Sequence, residues 1–431
     1  MELPEKFVSQ MAGYGFADVT EAMRTTSPGV SVRLNPLKDG EGCSVAEGVP
    51  VPWWPAGRIL SQRPAFTLDP ALHQGRYYVQ ESSSMFVAHA VRALMPPTPL
   101  LAVDMCAAPG GKSTAVLDAV HRGSFLVANE YVEQRAAILR ENIMKWGRNG
   151  VAVTRGDTMY LAKALRASAD LVIADMPCSG EGMMRKSEEA RTQWSPALVR
   201  DCMELQRKIA ENAWNTLSPG GVLLYSTCTF NTHENEENII WMIENFGAEP
   251  LSIPTNPGWG ITGAVPGFDI PVYRFMPGRT PGEGLFVAAL RKPGVLAERP
   301  EVNGVTTRSD AEARWVFPTA WQKVIERLSK QKGLTLMSAG TQIAQAKGRG
   351  YIRAHALAMS AELPDETTPR YELDLSDALA YLRRENVTTP EAPRGLVMVT
   401  YSGYPLGYVN NLGNRANNLY PSNYRIRNKR V

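Results

Sequence analysis

The sequence predicts an α/β chain built on a doubly wound, mostly parallel sheet of the Rossmann-like kind. Three observations carry that expectation. Short apolar runs alternate with helix-like stretches through the middle of the 431 residues, the pattern of strands covered on both faces by crossover helices. A tight Pro109-Gly110-Gly111 turn opens one of those helices, and an acid or a thiol closes strand after strand. The length itself favours two or three domains.

Composition narrows the function classes. Apolar residues at 44% and charged residues at 21% suit a globular chain and argue against wholesale disorder. The 46 Lys+Arg and 43 Asp+Glu leave a net charge of only +3, so any nucleic-acid binding has to come from local patches. Five Cys without regular spacing do not make a secreted disulfide framework. Met1 to Gln10 lacks the pattern of a signal peptide, and no apolar run is long enough to suggest a membrane span. A soluble, cytoplasmic protein with free thiols is expected.

From the N-terminus, Pro4 to Met23 reads as an amphipathic helical stretch, and Ser31 to Leu34 as a strand stopped by Asn35-Pro36. Gly48 to Pro64, rich in proline and carrying Trp53-Trp54, reads as irregular surface structure with an aromatic anchor. Leu100 to Asp104 is an apolar strand, Lys112 to His121 a helix and Ser124 to Asn129 a strand. Val132 to Trp146 is a helix stopped by Gly147; Val151 to Thr154 and Leu171 to Ala174 add strands. Leu198, Cys202, Leu205, Ile209, Ala213 and Leu217 recur at helical spacing. They predict a helix over Ala197 to Leu217, ended by Pro219-Gly220-Gly221. Val222 to Tyr225 is then a strand, His233 to Glu244 a helix and Leu285 to Leu290 a late strand. Gly294 to Asp310 is poor in apolar residues and reads as a linker. Thr319 and Gln322 have the spacing of a capping box for a helix that runs to Ser329. Gly395 to Tyr401 reads as a strand. The expected divisions are 1–75, 76–293, 294–375 and 376–431. From Tyr401 onward there is no Asp or Glu, while Arg415, Arg425, Arg427, Lys429 and Arg430 alternate with Tyr401, Tyr404, Tyr408, Tyr420 and Tyr424. Such a pattern suits phosphate contacts with base stacking, or else a solvated tail.

In an open parallel sheet the ligand lies beyond the carboxyl ends of the strands. Those ends read Asp104, Glu130, Asp157, Asp175 and Cys228. A P-loop would need glycine where Cys106 stands, and GxGxxG is absent. What remains is Cys106-Ala107-Ala108-Pro109-Gly110-Gly111-Lys112, a turn that lets backbone approach a ligand closely. Glu130 is placed to grip the two hydroxyls of a ribose. Together they describe a nucleoside cofactor without a phosphate cradle, and S-adenosyl-L-methionine fits. Asp157 then holds the adenine amino group, or is a turn residue after Gly156. Lys112 is either an ordinary surface charge or a cation turned into the site. Cys106, Cys178 and Cys228 fall in turns on this edge, whereas Cys43 and Cys202 read as core fillers. Zinc-type spacing and a CxxC pair are both missing, so no metal is expected.

DMCAAPGGKS, DMPCSGEG and YSTCTFNTHENE, in this order, resemble the Sun-type family of RNA cytosine-5 methyltransferases. Gln80 to Ser84, Trp194-Ser195-Pro196 with Gln206, and Gly282-Glu283-Gly284 add to the resemblance. The tail from Leu406 to Pro421 is similar to the PUA-like RNA-binding end of the RsmF branch. One position departs: Pro277 is followed by Gly278, where the family commonly has His. The resemblance implies a class I methyltransferase domain with a small N-terminal domain and a PUA-like C-terminal region. It implies S-adenosyl-L-methionine as methyl donor, held by the Cys106 to Lys112 turn with Glu130, Asp157 and Asp175. It also implies a monomer acting on small-subunit ribosomal RNA. Cys228 is thereby assigned as nucleophile, Cys178 to breakdown of a covalent cytosine adduct, and Asp175 to the cytosine edge. The residues alone leave open which thiol attacks. Arg185 and Lys186 are expected to meet RNA phosphates or to lie in a solvated loop. Three rival readings are a transfer-RNA cytosine-5 methyltransferase, an amino-group methyltransferase and a non-catalytic assembly factor. The thiol in the Asp-Met-Pro-Cys turn speaks against the second, and the retained acids and thiols against the third.

Overall fold

The computed structural model describes residues 2–299 and 301–427. Two helices, α1 (Glu5–Gly13) and α2 (Ala17–Thr25), open the chain. The single helical stretch expected there is broken at Gly15, whose φ of 78° is one that glycine adopts without strain. Strands β1 (Val30–Leu34), β2 (Val49–Val51) and β3 (Trp54–Leu60), the short α3 (Pro70–His73) and β4 (Tyr77–Val79) follow. The strands make an antiparallel sheet in the order β2-β3-β1-β4. Residues 48–64 therefore form a hairpin rather than irregular surface. Their prolines mislead because Pro50 lies on the edge strand and Pro55 precedes the part of β3 that pairs with β1, places where a missing N–H is tolerated. Trp53 is buried, donates from Nε1 to Ser82 O at 2.8 Å, and sits 4.9 Å from the Phe275 ring.

After α4 (Phe86–Leu94) come β5 (Leu101–Asp104), α5 (Gly111–Ala119), β6 (Phe125–Glu130), α6 (Glu133–Trp146), β7 (Val151–Gly156), α7 (Thr158–Ala164) and β8 (Ala169–Asp175). Helices α8 (Glu188–Gln193) and α9 (Pro196–Thr216) lead to β9 (Leu217–Thr227). The helix thus ends before Pro219-Gly220-Gly221, because Leu217 already pairs with Ala169 of β8. Strands β5 to β9 are parallel to one another. Beyond them lie α10 (Glu236–Phe246), β10 (Glu249–Leu251), β11 (Val272–Phe275) and β12 (Leu285–Arg291), with β12 antiparallel to β9. Alternate side chains of each strand enter opposite faces. Ala102, Leu126, Val153, Ile173 and Leu224 join one core, and Val103, Val127, Ala152, Val172 and Leu223 the other.

The third part contains β13 (Val305–Ser309), β14 (Ala313–Pro318), α11 (Gln322–Lys330), β15 (Leu334–Ala339), β16 (Thr341–Lys347) and β17 (Gly350–Arg353). β13 occupies part of the stretch read as a linker. β15 pairs antiparallel with β7 and extends the main sheet, which runs β10-β12-β9-β8-β5-β6-β7-β15. The capping box expected at Thr319 does not form. Residues 319–321 make a separate 3-10 turn, Thr319 bonds the Thr306 hydroxyl at 2.9 Å, and Gln322 donates to Glu326.

The C-terminal part has α12 (His355–Met359), β18 (Arg370–Glu372), α13 (Leu375–Leu382), β19 (Gly395–Tyr401), β20 (Tyr404–Asn411) and β21 (Ala416–Asn418). Two tyrosines expected to stack on bases or to lie in a solvated tail are core residues instead. Tyr408 is buried and donates to Asp365 at 2.9 Å, and Tyr420 packs edge-on against Tyr381. A small core gains from a large ring whose hydroxyl finds a partner. Arg425 and Arg427 are exposed, while Lys429 and Arg430 lie outside the described residues. Among the described residues no helix is long and apolar enough to cross a membrane.

Candidate active site

Asp104, Glu130 and Asp175 end β5, β6 and β8, while Asp157 and Cys228 directly follow β7 and β9. The residues singled out in the sequence thus share one edge of the main sheet. Asp104 is buried there, and burial pushes its carboxyl up to about 7. Its Oδ2 accepts the Ser113 hydroxyl at 2.7 Å, but its Oδ1 has no hydrogen-bond partner. α5 begins after Gly110, at φ 112°, with no side-chain cap, so its first-turn amides remain open to a ligand. Glu130 is buried, accepts the Val132 N–H at 2.9 Å and lies 3.6 Å from Arg135. Asp157 is exposed and caps α7 with one oxygen, accepting the Met159 N–H at 2.8 Å.

The thiols differ sharply in their surroundings. Cys178 Sγ and Cys228 Sγ stand 3.2 Å apart. Burial raises the Cys106 thiol, with Asp104, Asp175 and Glu130 adding to the effect, which leaves it a poor nucleophile. Lys112 reaches Asp175 at 2.8 Å, and the Ser226 hydroxyl donates to the same carboxylate at 2.8 Å. Burial works against the Lys112 ammonium, but the Asp175 carboxylate outweighs it and the pKa is raised. Lys112 is therefore charged and turned into the site, with Cys228 among the groups that raise its pKa. The Cys178 thiol is raised well above its ordinary value by its hydrogen bond to Cys228, by burial and by Glu234. Cys43 is a buried filler as expected, but Cys202 on α9 is only half-buried.

Sequence reasoning missed the residues that hold the two thiol loops together. Glu181 is fully buried and accepts the Phe230 N–H at 2.6 Å, the Asn231 N–H at 3.0 Å and Trp194 Nε1–H at 3.1 Å. Gln10 of α1 donates to it as well, at 3.0 Å. Glu234 is equally buried and accepts the Ser179 N–H at 3.0 Å. Asn235 accepts the Thr227 hydroxyl and donates to Thr229 O, thereby bracketing Cys228. The available signal was the spacing of Asn231, Glu234, Asn235 and Asn238 just after the thiol, polar residues three and four apart as on one helical face, although only Asn238 lies within α10. Arg185, expected at an RNA phosphate or in a solvated loop, is instead buried in contacts to Glu283 at 2.7 Å, Thr26 at 2.6 Å and Gly282 O at 3.2 Å. Lys186 lies 3.5 Å from the same Glu283. The absence of a side chain at Gly278 also has a cause: a Cβ there would meet Ala22 Cβ of α2 at 2.7 Å.

Comparison with known proteins adds to this geometry. The family model of 16S rRNA methyltransferase RsmB/F matches residues 91–291. Models of the N-terminal domain of 16S rRNA methyltransferase RsmF and of the methyltransferase RsmF PUA domain match residues 3–82 and 368–426. Ribosomal RNA small subunit methyltransferase F of Cronobacter sakazakii is 30% identical, over 97% of this chain and 95% of its own. The chain belongs to the RsmB/F family. The corresponding RsmF relative from Klebsiella pneumoniae is 29% identical over the same shares, 97% and 95%. Among solved structures, a methyltransferase homologue from Pyrococcus horikoshii is 27% identical with a TM-score of 0.53, covering 67% of this chain and 100% of that one. NSun6 from Pyrococcus horikoshii, solved with SFG, shares the fold at 20% identity and a TM-score of 0.57, covering 68% and 97% of the two chains. The central domain is thus a Rossmann-like class I methyltransferase fold, set between RsmF-type N-terminal and PUA regions.

Proposed function

We propose that this chain methylates C5 of cytosine in small-subunit ribosomal RNA through a covalent bond from Cys228 Sγ to C6 of the base. It is an S-adenosylmethionine-dependent rRNA methyltransferase. The observation that carries the covalent route is the 3.2 Å thiol pair beside the Lys112–Asp175 ion pair. Cytosine C5 is too weakly nucleophilic to take a methyl group directly. A thiolate added at C6 makes C5 enamine-like, splitting one difficult step into two easier ones.

The residues present fit the cofactor. Glu130 would hold the ribose hydroxyls and the second oxygen of Asp157 the adenine amino group. The open amides of α5 suit the carboxylate of the methionine part, and the unpartnered Asp104 Oδ1 suits its ammonium. When bound, S-adenosylmethionine supplies an electrophilic methyl group. Cys228 Sγ would bond to C6 while the π pair of the C5–C6 double bond moves to C5, which could then take the methyl group as its bond to the donor's sulfur breaks with the pair left on sulfur. Asp175 hydrogen-bonds the cytosine edge, while Lys112 offsets charge developing on the ring. Loss of the C5 proton to solvent would restore the double bond as the C6–S bond breaks, and Cys228 leaves as thiolate with Cys178 against the departing sulfur to assist. The reading extends to a cytoplasmic enzyme that works as a monomer.

Trapping the adduct tests this route. Cys178→Ala with ribosomal RNA and S-adenosylmethionine should give an SDS-stable protein–RNA band, lost when Cys228→Ala is added. Cys228→Ala alone should abolish methylation while keeping cofactor affinity. Activity of that variant within about tenfold of wild type would overturn the assignment.

A further inference from the structure

Under the covalent route proposed above, Cys178 has to keep its proton while Cys228, 3.2 Å away, gives one up. The backbone on both sides of Cys178 is gripped by one pair of side chains. Gln206 Nε2 donates to Pro177 O at 2.9 Å and to Glu234 Oε2 at 2.7 Å. The same Glu234 oxygen accepts the Ser179 N–H at 3.0 Å, and its other oxygen accepts Asn231 Nδ2–H at 2.8 Å. These N–H donors favour the ionised carboxylate, against the burial that raises its pKa. Cys228 is held differently, by neutral groups: Asn235 on the neighbouring residues, and the Gly182 N–H, which donates to Cys228 O at 2.8 Å. Of the charged groups around the pair, the Glu234 carboxylate raises the Cys178 thiol, and the Lys112 ammonium is within electrostatic reach of Cys228.

We propose that Glu234 is a positioning residue that decides which thiol ionises: through Ser179 and Gln206 it fixes Cys178 against Cys228, and its charge keeps the Cys178 proton in place. Without it, Ser179 and Gln206 lose the acceptor that holds the Cys178 loop, and one restraint on the Cys178 proton beside a thiol 3.2 Å away is gone. With it, Cys178 donates its S–H to the Cys228 sulfur and remains a thiol when the adduct has to break down. The other titratable groups around the pair are Cys202 on α9, in the field of Cys228, and Tyr225 on β9, in the field of Cys178, with Asp175 at the end of β8 and Glu81 before α4 around Lys112, and Glu181 after the Cys178 turn around Glu234. Among these, Asp175 is neutralised by Lys112, and Glu81 is engaged by the Ser83 and Ser84 amides. Glu181 is occupied by the donors already named. Tyr225 is raised well above its ordinary value by burial and stays neutral, and burial pushes Cys202 up to about 12.

The test is partial alkylation by iodoacetamide of the full-length protein over about pH 6 to 10, read for each cysteine by peptide mass spectrometry. In the wild type Cys228 should label at lower pH than Cys178. In Glu234→Gln the Cys178 midpoint should fall by about one pH unit or more, and the RNA adduct should persist as it does in Cys178→Ala. Gln206→Met loosens the grip but keeps the charge, so it should slow turnover and leave the Cys178 midpoint in place. Wild-type protein in which Cys178 labels first overturns the proposal without any variant. So does an unmoved midpoint in a Glu234→Gln protein that still binds S-adenosylmethionine. Failure of the covalent route itself would show separately, as the absence of any RNA adduct in Cys178→Ala.

Discussion

Asp104 costs the folded protein something until a cation arrives. Its folded pKa of about 7 lies above the ordinary 3.8, so the native chain holds a proton that the unfolded chain releases. The stability this contributes is present below about pH 4 and lost as pH rises towards 7. Asp104→Asn, which mimics the protonated form, should therefore raise Tm at pH 8 and match wild type near pH 4. The difference at pH 8 is on the order of 4 kcal/mol, and cofactor affinity should drop. A Tm below wild type at both pH values, measured by calorimetry, would contradict this account. Lys112→Met should move the acidic limb of the pH–rate profile up by about one unit and lower kcat/KM at pH 7 about tenfold. Lys112→Arg should stay nearer wild type, and an unmoved limb in Lys112→Met would restrict the ammonium to holding Asp175. The placement of these residues was legible in the sequence because an open parallel sheet brings its strand ends to one edge. Their inequality was not: Glu234 is written with the same letter as a solvated acid, and only its donors reveal what it does.

At the scale of elements, the two thiol loops meet through a glycine. A Cβ on Gly182 would lie 2.9 Å from Cys228 O and 3.2 Å from Glu283 O, both backbone atoms that cannot rotate away. Gly182→Ala should push the Cys228 loop aside and cut methylation by about a hundredfold, since misplacing a reacting group by about 1 Å costs that much. S-adenosylmethionine binding, measured by calorimetric titration, should be unchanged; near-normal turnover would mean that the loops can yield. Strands β5 to β9 were readable as continuous apolar runs because both of their faces are buried. The β2–β3 hairpin and β13 were not, since short edge strands carrying proline or polar residues lack that run. α9 was readable through its spacing, and its end to within a residue, but the start of β9 at Leu217 rather than Val222 was not, because it is set by pairing with β8, a tertiary contact no local pattern encodes.

Over the whole molecule, the C-terminal region is clamped to the body rather than trailing from it. Tyr404 donates to Asp39 at 2.8 Å, Gln74 donates to the Tyr401 and Tyr404 carbonyls, and the Arg76 guanidinium lies 4.0 Å above the Tyr404 ring. On the other side Arg148 meets Glu362 at 2.8 Å, joining this region to the end of α6. Ile426 is buried and its N–H donates to Leu382 O at 3.0 Å, so the exposed Arg425 and Arg427 on either side of it are held in place. With a net charge of only +3, long-range attraction to RNA is weak and affinity has to come from such fixed local charges. If both guanidinium groups meet phosphates, replacing them releases fewer counterions on binding. Arg425→Ala with Arg427→Ala should then weaken RNA binding and flatten the slope of log affinity against log salt by about 0.7 per lost contact to single-stranded RNA. Cofactor affinity should hold, because Glu130 and Asp157 belong to the main sheet. An unchanged slope in the folded double variant would assign both arginines to solvent and leave RNA docking to other surfaces.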